Sequence, residues 1–416
     1  MEELYLTGTP VVSRQQLEAQ LDRLLEQWPG VKKVLVIPPD YTRCYSYAGV
    51  ITQLLYQKLS PSATVHVMPA LGTHMPMDEY EMSQFFGDVV PRENILIHRW
   101  QTDTIRLGYV PADVCSEISN GLFPEQIDVE VNHLLFDGGY DLILSVGQVV
   151  PHEVVGMANY SKNIFVGTGG REMINKSHML SAICGMEKAL GVIDSPARKL
   201  YDYAQQHFID GKLPLVYLQT VTTREGEEVQ LRGLYIGQSR KPFELAAKLS
   251  QELNIVHVER RAKKVVTYLE PWVGNKGIYR TRMTVADGGE LLILAPGIRA
   301  FGENEEMDAM TRKYGYTGTP HILELYRQGA FEGRLMSAAH LIQGSTEGRF
   351  TVTYATKPDL MSQEEIESVG YQWADYNEVS KRYDPEKLHD GWNILPDGEE
   401  IYYVGTPALG LWKVDE

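Results

Sequence analysis

Apolar residues along this chain alternate between two rhythms. From Ser13 to Pro29-Gly30, the residues Leu17, Leu21, Leu24, Leu25 and Trp28 recur at helical spacing, and Ser13 with Gln16 supplies a capping box; together they predict an amphipathic helix. The apolar run Val34–Ile37 then breaks at Pro38-Pro39 and the segment DYTRC, after which Val50, Leu54, Leu55 and Leu59 share one helical face. That reads as strand, loop, helix. The unit repeats with a strand over Thr64–Pro69, the loop ALGTHMP, and a helix from Met77 that carries Asp78 and Glu79 in its first turn. Further strands are predicted at Asn94–His98, Ile127–Phe136 and Leu142–Val146, and further helices over His178–Leu190 and from Ser195-Pro196.

Strands alternating with helices at this pitch predict an α/β protein of two domains. The first has a mainly parallel, Rossmann-like sheet with flanking helices. Such sheets bind ligands beyond the carboxyl ends of their strands, and Asp40, Arg43, His74 and His152 all lie just past a predicted strand, on three separate loops. Beyond residue 270 the texture changes. PWVGNKG reads as a linker, with strand-like runs at Leu291–Leu294, Arg349–Tyr354 and Ile401–Val404. The expected boundary is near Pro271: residues 1–270 form the N-terminal catalytic and cofactor-binding domain, and residues 271–416 a smaller C-terminal α/β domain that closes the substrate cleft, the active site lying between them.

Composition narrows the function. Lys and Arg total 39 against 55 Asp and Glu, a formal charge of −16, which is the wrong sign for holding nucleic acid through its phosphates. A few convergent arginines still allow a small anionic substrate. The three cysteines, Cys44, Cys115 and Cys184, form no CxxC pair, so neither a disulfide framework nor a zinc ribbon fits. The start MEELYLTGTPVVSRQQ is acidic where a signal peptide is basic, and no apolar stretch approaches the ~18 residues of a membrane span. A cytoplasmic protein without a membrane partner is expected.

Chemistry concentrates in residues 145–180, SVGQVVPHEVVGMANYSKNIFVGTGGREMINKSHML, which hold His152, Lys162 and His178 among five glycines. Histidine serves as metal ligand or general base near neutral pH, and lysine as a nucleophile toward carbonyl carbon. Their spacing matches no HExxH-type zinc motif. Taken singly, each also fits a structural role: His152 capping a strand end, Lys162 solvated, His178 at a helix start. GTGG (167–170) lacks a following GK[ST] and reads better as a turn than as a phosphate cradle, and ERRAKK (259–264) better as a solvated basic patch than as a nucleotide site. His66, His98, His133 and His257 sit in strand-like runs as packed or surface residues, and Cys184 in an apolar helical stretch as core.

The combination DYTR (40–43), GTH-P (72–76), PHEVVGMANYSKNI (151–164) and NKSH (175–178), in that order, resembles the lactate racemase family, with a weaker echo at GIYRTRM (277–283). The resemblance implies a 2-hydroxyacid racemase or epimerase that carries a nickel-pincer nucleotide, the pyridinium-3,5-bisthiocarboxylic acid mononucleotide, made by separate cofactor maturation proteins. By it, Lys162 is the covalent attachment point and His178 the protein ligand that completes a square-planar nickel. His74 and His152 are the paired acid/base residues, Asp40 and Arg43 the family's DxTR pair near cofactor and substrate, and Tyr279 a cofactor and substrate contact. Two histidines on separate loops serve the two configurations of the hydroxyl-bearing carbon.

The chain departs from the family where substrate would bind. Cys44 stands where proline is common, followed by Tyr45-Ser46-Tyr47; Arg280 replaces a glutamine and Met283 a carboxylate-holding lysine. Arg280 can act as a bidentate clamp or stand as a solvated strand-edge arginine alternating with Arg282. Tyr45, Ser46, Tyr47, Asn159, Tyr160, Tyr279 and Arg280 together favour a sugar acid of the gluconate/mannonate type over lactate, with malate the nearest rival if Arg282 supplies a second anchor. Two readings of other classes stay open: a hydrolase with zinc held by His74, His152 and His178 and Asp40 as base, and a non-catalytic carboxylate-binding protein. A homo-oligomer is compatible with all of them.

Overall fold

The computed structural model describes residues 1–7, 11–226, 228–269, 275–302, 304–407 and 410–415. They form two compact units, one of Met1–Ser177 with Gly191–Leu253, the other of His178–Leu190 with Asn254–Glu416. Pro271, where the sequence places the domain boundary, lies outside the described residues. No helix among the described residues is long and apolar enough to cross a membrane.

Among the described residues the first unit holds strands β1 (Leu4–Thr7), β2 (Lys33–Ile37), β3 (Thr64–Val67), β4 (Thr104–Val110), β5 (Ile127–Asn132), β6 (Leu142–Gln148), β7 (Pro151–His152), β8 (Gly156–Met157), β9 (Leu215–Glu225) and β10 (Glu228–Gly237). Six make the main sheet in the order β1-β10-β9-β6-β2-β3. Pairing is parallel for β2 with β3, β2 with β6 and β6 with β9. It is antiparallel for the β9–β10 hairpin and for β1 against β10. β6 is buried along its whole length, as a central parallel strand covered on both faces must be. The capping box forms as the sequence predicts. The Gln16 N–H donates to Ser13 Oγ at 3.2 Å and the Ser13 N–H to Gln16 Oε1 at 2.9 Å, starting the helix Arg14–Glu26, whose Leu17, Leu21 and Leu24 are buried.

Three predicted elements differ. Asn94–His98 is no strand: a 3₁₀ turn ends at Asn94, and Ile95 makes an isolated bridge with Val67. The strand expected over Ile127–Phe136 stops at Asn132, because Asn132 Oδ1 accepts the Leu134 N–H at 3.0 Å and turns the chain into the short helix Leu134–Asp137. The helix expected over His178–Leu190 starts earlier and ends sooner, at Arg171–Cys184, since Gly185 with φ of +96° breaks it before the turn Met186–Ala189.

The second unit holds strands β11 (Ile255–Val258), β12 (Ala262–Tyr268), β13 (Val285–Leu294), β14 (Thr351–Thr356), β15 (Gln372–Asp375), β16 (Gly391–Ile394), β17 (Glu400–Val404) and β18 (Leu411–Val414). Its main sheet runs β15-β14-β13-β12-β17-β16, parallel except for the β16–β17 pair. The segment GIYRTRM is helical over Lys276–Thr281 rather than an alternating strand edge.

GTGG is a turn held by close packing. A Cβ on Gly169 would lie 1.9 Å from the Phe165 carbonyl oxygen, and one on Gly167 2.4 Å from the Asn163 oxygen. These glycines admit backbone where a phosphate cradle would admit ligand. Gly169→Ala is therefore expected to destabilise the protein by about 1–3 kcal/mol through overpacking, read as a fall in denaturation midpoint. An unchanged midpoint would show that the turn has room to spare.

Candidate active site

The order β6-β2-β3 sets the carboxyl ends of three parallel strands side by side. The chain leaves β2 for β3 on one side and later returns to β6 on the other, which makes β2 the place where connections diverge and an α/β sheet opens a crevice. Asp40 follows β2, His74 follows β3 and His152 follows β6. The strand-end expectation of the sequence is thus met for all three.

Asp40 caps the 3₁₀ turn Tyr41–Ser46. Its Oδ1 accepts from the Thr42 N–H at 3.1 Å and from the Thr42 hydroxyl at 2.5 Å, and its Oδ2 lies 2.5 Å from His74 Nδ1. Burial alone pushes this carboxyl up. The hydrogen bond and charge of His74, the Thr42 bond and the Arg43 guanidinium outweigh it and hold the carboxyl below its ordinary value. A carboxylate on Nδ1 fixes that nitrogen as the donor and leaves Nε2 as the basic atom. Arg43 sits on the same 3₁₀ turn, half-buried.

His152 is buried, and its Nδ1 accepts from the Val154 N–H at 3.1 Å in the tight β7–β8 hairpin. Ten residues on, Lys162 stands in the first turn of the helix Ser161–Phe165. Lys162 keeps some accessible surface, yet burial of its ammonium is the largest cause that lowers it to about 8. Arg43 lowers it further, against the opposing carboxylates Asp40 and Glu153, and Arg198 adds to the lowering. A good share of this amine is neutral near physiological pH, as a lysine nucleophile requires. Nearby, Asn159 Nδ2 donates to the Gly147 carbonyl at 2.8 Å. Asn159 Oδ1 and Gln219 Nε2 are buried polar atoms without a hydrogen-bond partner among the described residues, the kind of orphaned pair that a polar ligand satisfies.

Several polar residues expected to face substrate are committed elsewhere. Tyr160 is buried in an aromatic stack, its ring 5.4 Å from Phe243 and 4.6 Å from Tyr217. Ser46 is fully buried and accepts the Ala48 N–H. Tyr45 lies under the Arg224 guanidinium at 4.9 Å.

In the second unit, His178 lies half-buried on the helix Arg171–Cys184. Arg280 is fully buried on its helix, so it is no solvated strand-edge residue. Arg282 donates to Glu187 at 2.8 Å and to the carbonyls of Gln343 and Ser345 at 2.9 and 3.0 Å. Its fork is spent on structure, which removes the second anchor that a dicarboxylate needs. The tyrosine of the same motif, Tyr279, is buried with its hydroxyl 3.4 Å from His340 Nδ1, while His340 Nε2 lies 2.9 Å from the Tyr316 hydroxyl. His340 carries no motif in the sequence, which is why pattern reading passes over it.

Three further histidines make structural contacts. His98 bonds Gly169 and Asn132 in the core, His66 bonds Tyr140, and His257 pairs with Asp415 at the surface. His98 and His133 lie outside the strands expected for them. Cys184 is half-buried rather than core. Among the described residues no three His, Cys, Asp or Glu side chains gather into a group that could hold a metal ion.

The depressed Lys162 ammonium has a consequence for stability. Below about 8 both folded and unfolded chains carry the charge, and the fold bears its full cost. Between about 8 and the ordinary 10.5 the unfolded chain binds the extra proton, so stability rises with pH across that window. Lys162→Met is accordingly expected to be more stable than the parent at neutral pH, by up to about 3 kcal/mol. That gap should close as pH climbs through the window in denaturant titrations, and a gap indifferent to pH would contradict the assignment.

Residues 15–191 match the lactate racemase N-terminal domain family. The lactate racemase of Lactiplantibacillus plantarum is 26% identical over 161 residues, 38% of this chain and 35% of that protein. The lactate racemase of Thermoanaerobacterium thermosaccharolyticum is 24% identical over 285 residues, 66% of this chain and 62% of that one. The matches thus span less than two thirds of either relative's length. Over the whole chain, a crystal structure of a Thermotoga maritima protein superposes with a TM-score of 0.84 at 27% identity, covering 99% of this chain and 100% of that one. The Thermoanaerobacterium thermosaccharolyticum lactate racemase apoprotein shares the fold, with a TM-score of 0.72 at 20% identity over 96% of this chain and 93% of that one. Residues 15–191 thus match the lactate racemase N-terminal domain, and the chain shares the fold of the lactate racemase apoprotein.

Proposed function

We propose that this protein is a racemase or epimerase of 2-hydroxy carboxylic acids that works with a nickel-pincer nucleotide attached at Lys162. The observation that carries the reading is the Lys162 amine, buried and lowered to about 8, on the loop system that also brings in Asp40, His74 and His152. The donor set suits the group. A pincer ligand would bring its own sulfur and carbon donors, so the protein would owe it one amine for attachment, Lys162, and one imidazole, His178. The orphaned Asn159 Oδ1 and Gln219 Nε2 provide an acceptor and a donor for a polar ligand.

When bound, the cofactor supplies a reversible hydride acceptor for the α-hydrogen. The protein then has a proton to move. His74 Nε2, made basic by Asp40 on Nδ1, takes the hydroxyl proton of one configuration, and His152 handles that of the other. The intervening 2-keto acid is planar, so hydrogen can return to either face. Arg43 and Arg280 are the guanidinium groups we assign to the carboxylate, and Tyr279 is assigned as a further substrate contact.

Within that class we favour a sugar acid of the gluconate/mannonate type. Asn159 Oδ1 and Gln219 Nε2 offer polar atoms that a lactate methyl would leave unpaired. Malate is the weaker rival now that Arg282 is engaged by Glu187 and two carbonyls.

Protein made alongside its cofactor maturation proteins is expected to carry nickel and a mass increment that Lys162→Ala abolishes. His178→Ala is expected to lose nickel. His74→Ala and His152→Ala should keep both and lose turnover by about 10²–10⁴. Full mass increment in Lys162→Ala, or equal nickel loss in all three histidine variants, would overturn the scheme, the latter in favour of a three-histidine metal site. Substrate class is read from kcat/KM for gluconate, malate and lactate on loaded enzyme. A clear preference for lactate, undiminished in Arg280→Ala, would refute the sugar-acid reading.

A further inference from the structure

Lys162 reaches its position through a turn that L-amino acids resist. Asn159 and Tyr160 both have positive φ, 67° and 56°, and Tyr160 combines it with a ψ of −135°. Neither is glycine. Consecutive residues in such regions persist only where their surroundings over-determine them.

The surroundings here centre on Arg198, a side chain with no exposed surface on the helix Pro196–Ala204. One terminal nitrogen donates to the Met157 carbonyl at 2.7 Å and the Asn159 carbonyl at 3.0 Å, and the other to Ser161 Oγ at 2.7 Å. The three acceptors lie before, within and after the strained turn. The guanidinium also lies 4.3 Å from the centroid of the Phe243 ring, against which Tyr160 stacks. Ser161 Oγ in turn donates to Asp202 Oδ1 at 3.2 Å, and Asp202 Oδ2 accepts from Arg240 at 2.8 Å. Burying a guanidinium is costly unless its donors are used; both terminal nitrogens of Arg198 converge on one five-residue stretch that ends just ahead of Lys162, while its Nε has no hydrogen-bond partner among the described residues.

We propose that Arg198 is a positioning residue for Lys162: by gripping the Met157 and Asn159 carbonyls and the Ser161 hydroxyl, it locks the Asn159–Tyr160 turn in the shape that keeps the Lys162 amine inside the protein. The inference rests on the reading of Lys162 as the attachment point, while its test needs no cofactor. Lysine at position 198 would keep the charge yet lose the planar fork that serves three acceptors at once. Arg43, Asp40 and Glu153, the other charged groups that act on the amine, stay in place in that variant.

The experiment is the pH profile of Lys162 acylation by an uncharged N-hydroxysuccinimide ester, followed by peptide mass spectrometry on the folded chain without cofactor. The parent is expected to show an inflection near 8. In Arg198→Lys the inflection should move toward the ordinary lysine range, and labelling at neutral pH should fall about tenfold for each unit moved. Ser161→Ala removes one of the three acceptors and should shift the profile the same way by less. A merely structural arginine would lower the melting temperature and leave the profile where it was. An unchanged profile in folded Arg198→Lys overturns the proposal, as does an unchanged profile in Ser161→Ala should the first variant fail to fold. A parent chain whose Lys162 titrates like a surface lysine would instead overturn the reading of Lys162 itself, and this inference with it.

Discussion

The burial of one ammonium organises the first unit. A lysine amine can act as a nucleophile near neutral pH only if its charged form is made unfavourable. The chain does this at Lys162 by withdrawing the group from water, with Arg43 beside it and the carboxylates of Asp40 and Glu153 as partial compensation. That arrangement demands loops from three strands at one edge of the sheet, a backbone that turns through positive φ twice just before the lysine, and glycines behind it that let the turn 166–170 pack against the helix Ser161–Phe165. Each is unfavourable locally. Each is held by the core packed on β2, β3 and β6, whose apolar residues are almost all fully buried.

Asp40 links this constraint to proton transfer. One carboxylate orients His74 and also contributes to the field on Lys162, so the proposed base and the proposed attachment point share a counter-charge. Its position as cap of the 3₁₀ turn Tyr41–Ser46 explains the short spacing in DYTR: the aspartate ends one strand's loop, the threonine two residues on satisfies its second oxygen, and the arginine follows at once on the same turn.

The substrate side was harder to foresee, because a polar residue in a promising loop can be spent on packing. Tyr160 and Ser46 look like hydroxyls offered to a ligand and are in fact parts of the core, while Arg282 is consumed by Glu187 and two carbonyls. In the other direction, Gln219 sits on β9 of the long β9–β10 hairpin, where the apolar run Leu215–Leu218 marks a strand and nothing marks a ligand group, yet its Nε2 ends as an orphaned donor beside Asn159. Arg198 was invisible for a similar reason. In sequence it is one charged residue on a helix whose apolar positions, Ala197, Leu200, Tyr201 and Ala204, turn inward with it.

By itself the sequence determined the α/β class, the capped first helix, the strand-loop-helix units around β2 and β3, and the placement of Asp40, His74 and His152 past strand ends. All of these depend on local periodicity and on loop residues that stand next to the strands they follow. The motifs around Lys162 and His178 carried the resemblance to the lactate racemase family for the same reason, since short contiguous segments hold them. Only the tertiary structure decided where the strand at Ile127 turns aside, that GIYRTRM is helical, which nitrogen of His74 is held by a carboxylate, and which arginines are engaged. Those outcomes turn on contacts between residues 34 to 177 positions apart, such as His74 with Asp40, Arg198 with Asn159 and Tyr45 with Thr222, and no periodicity along the chain encodes a partner at that distance.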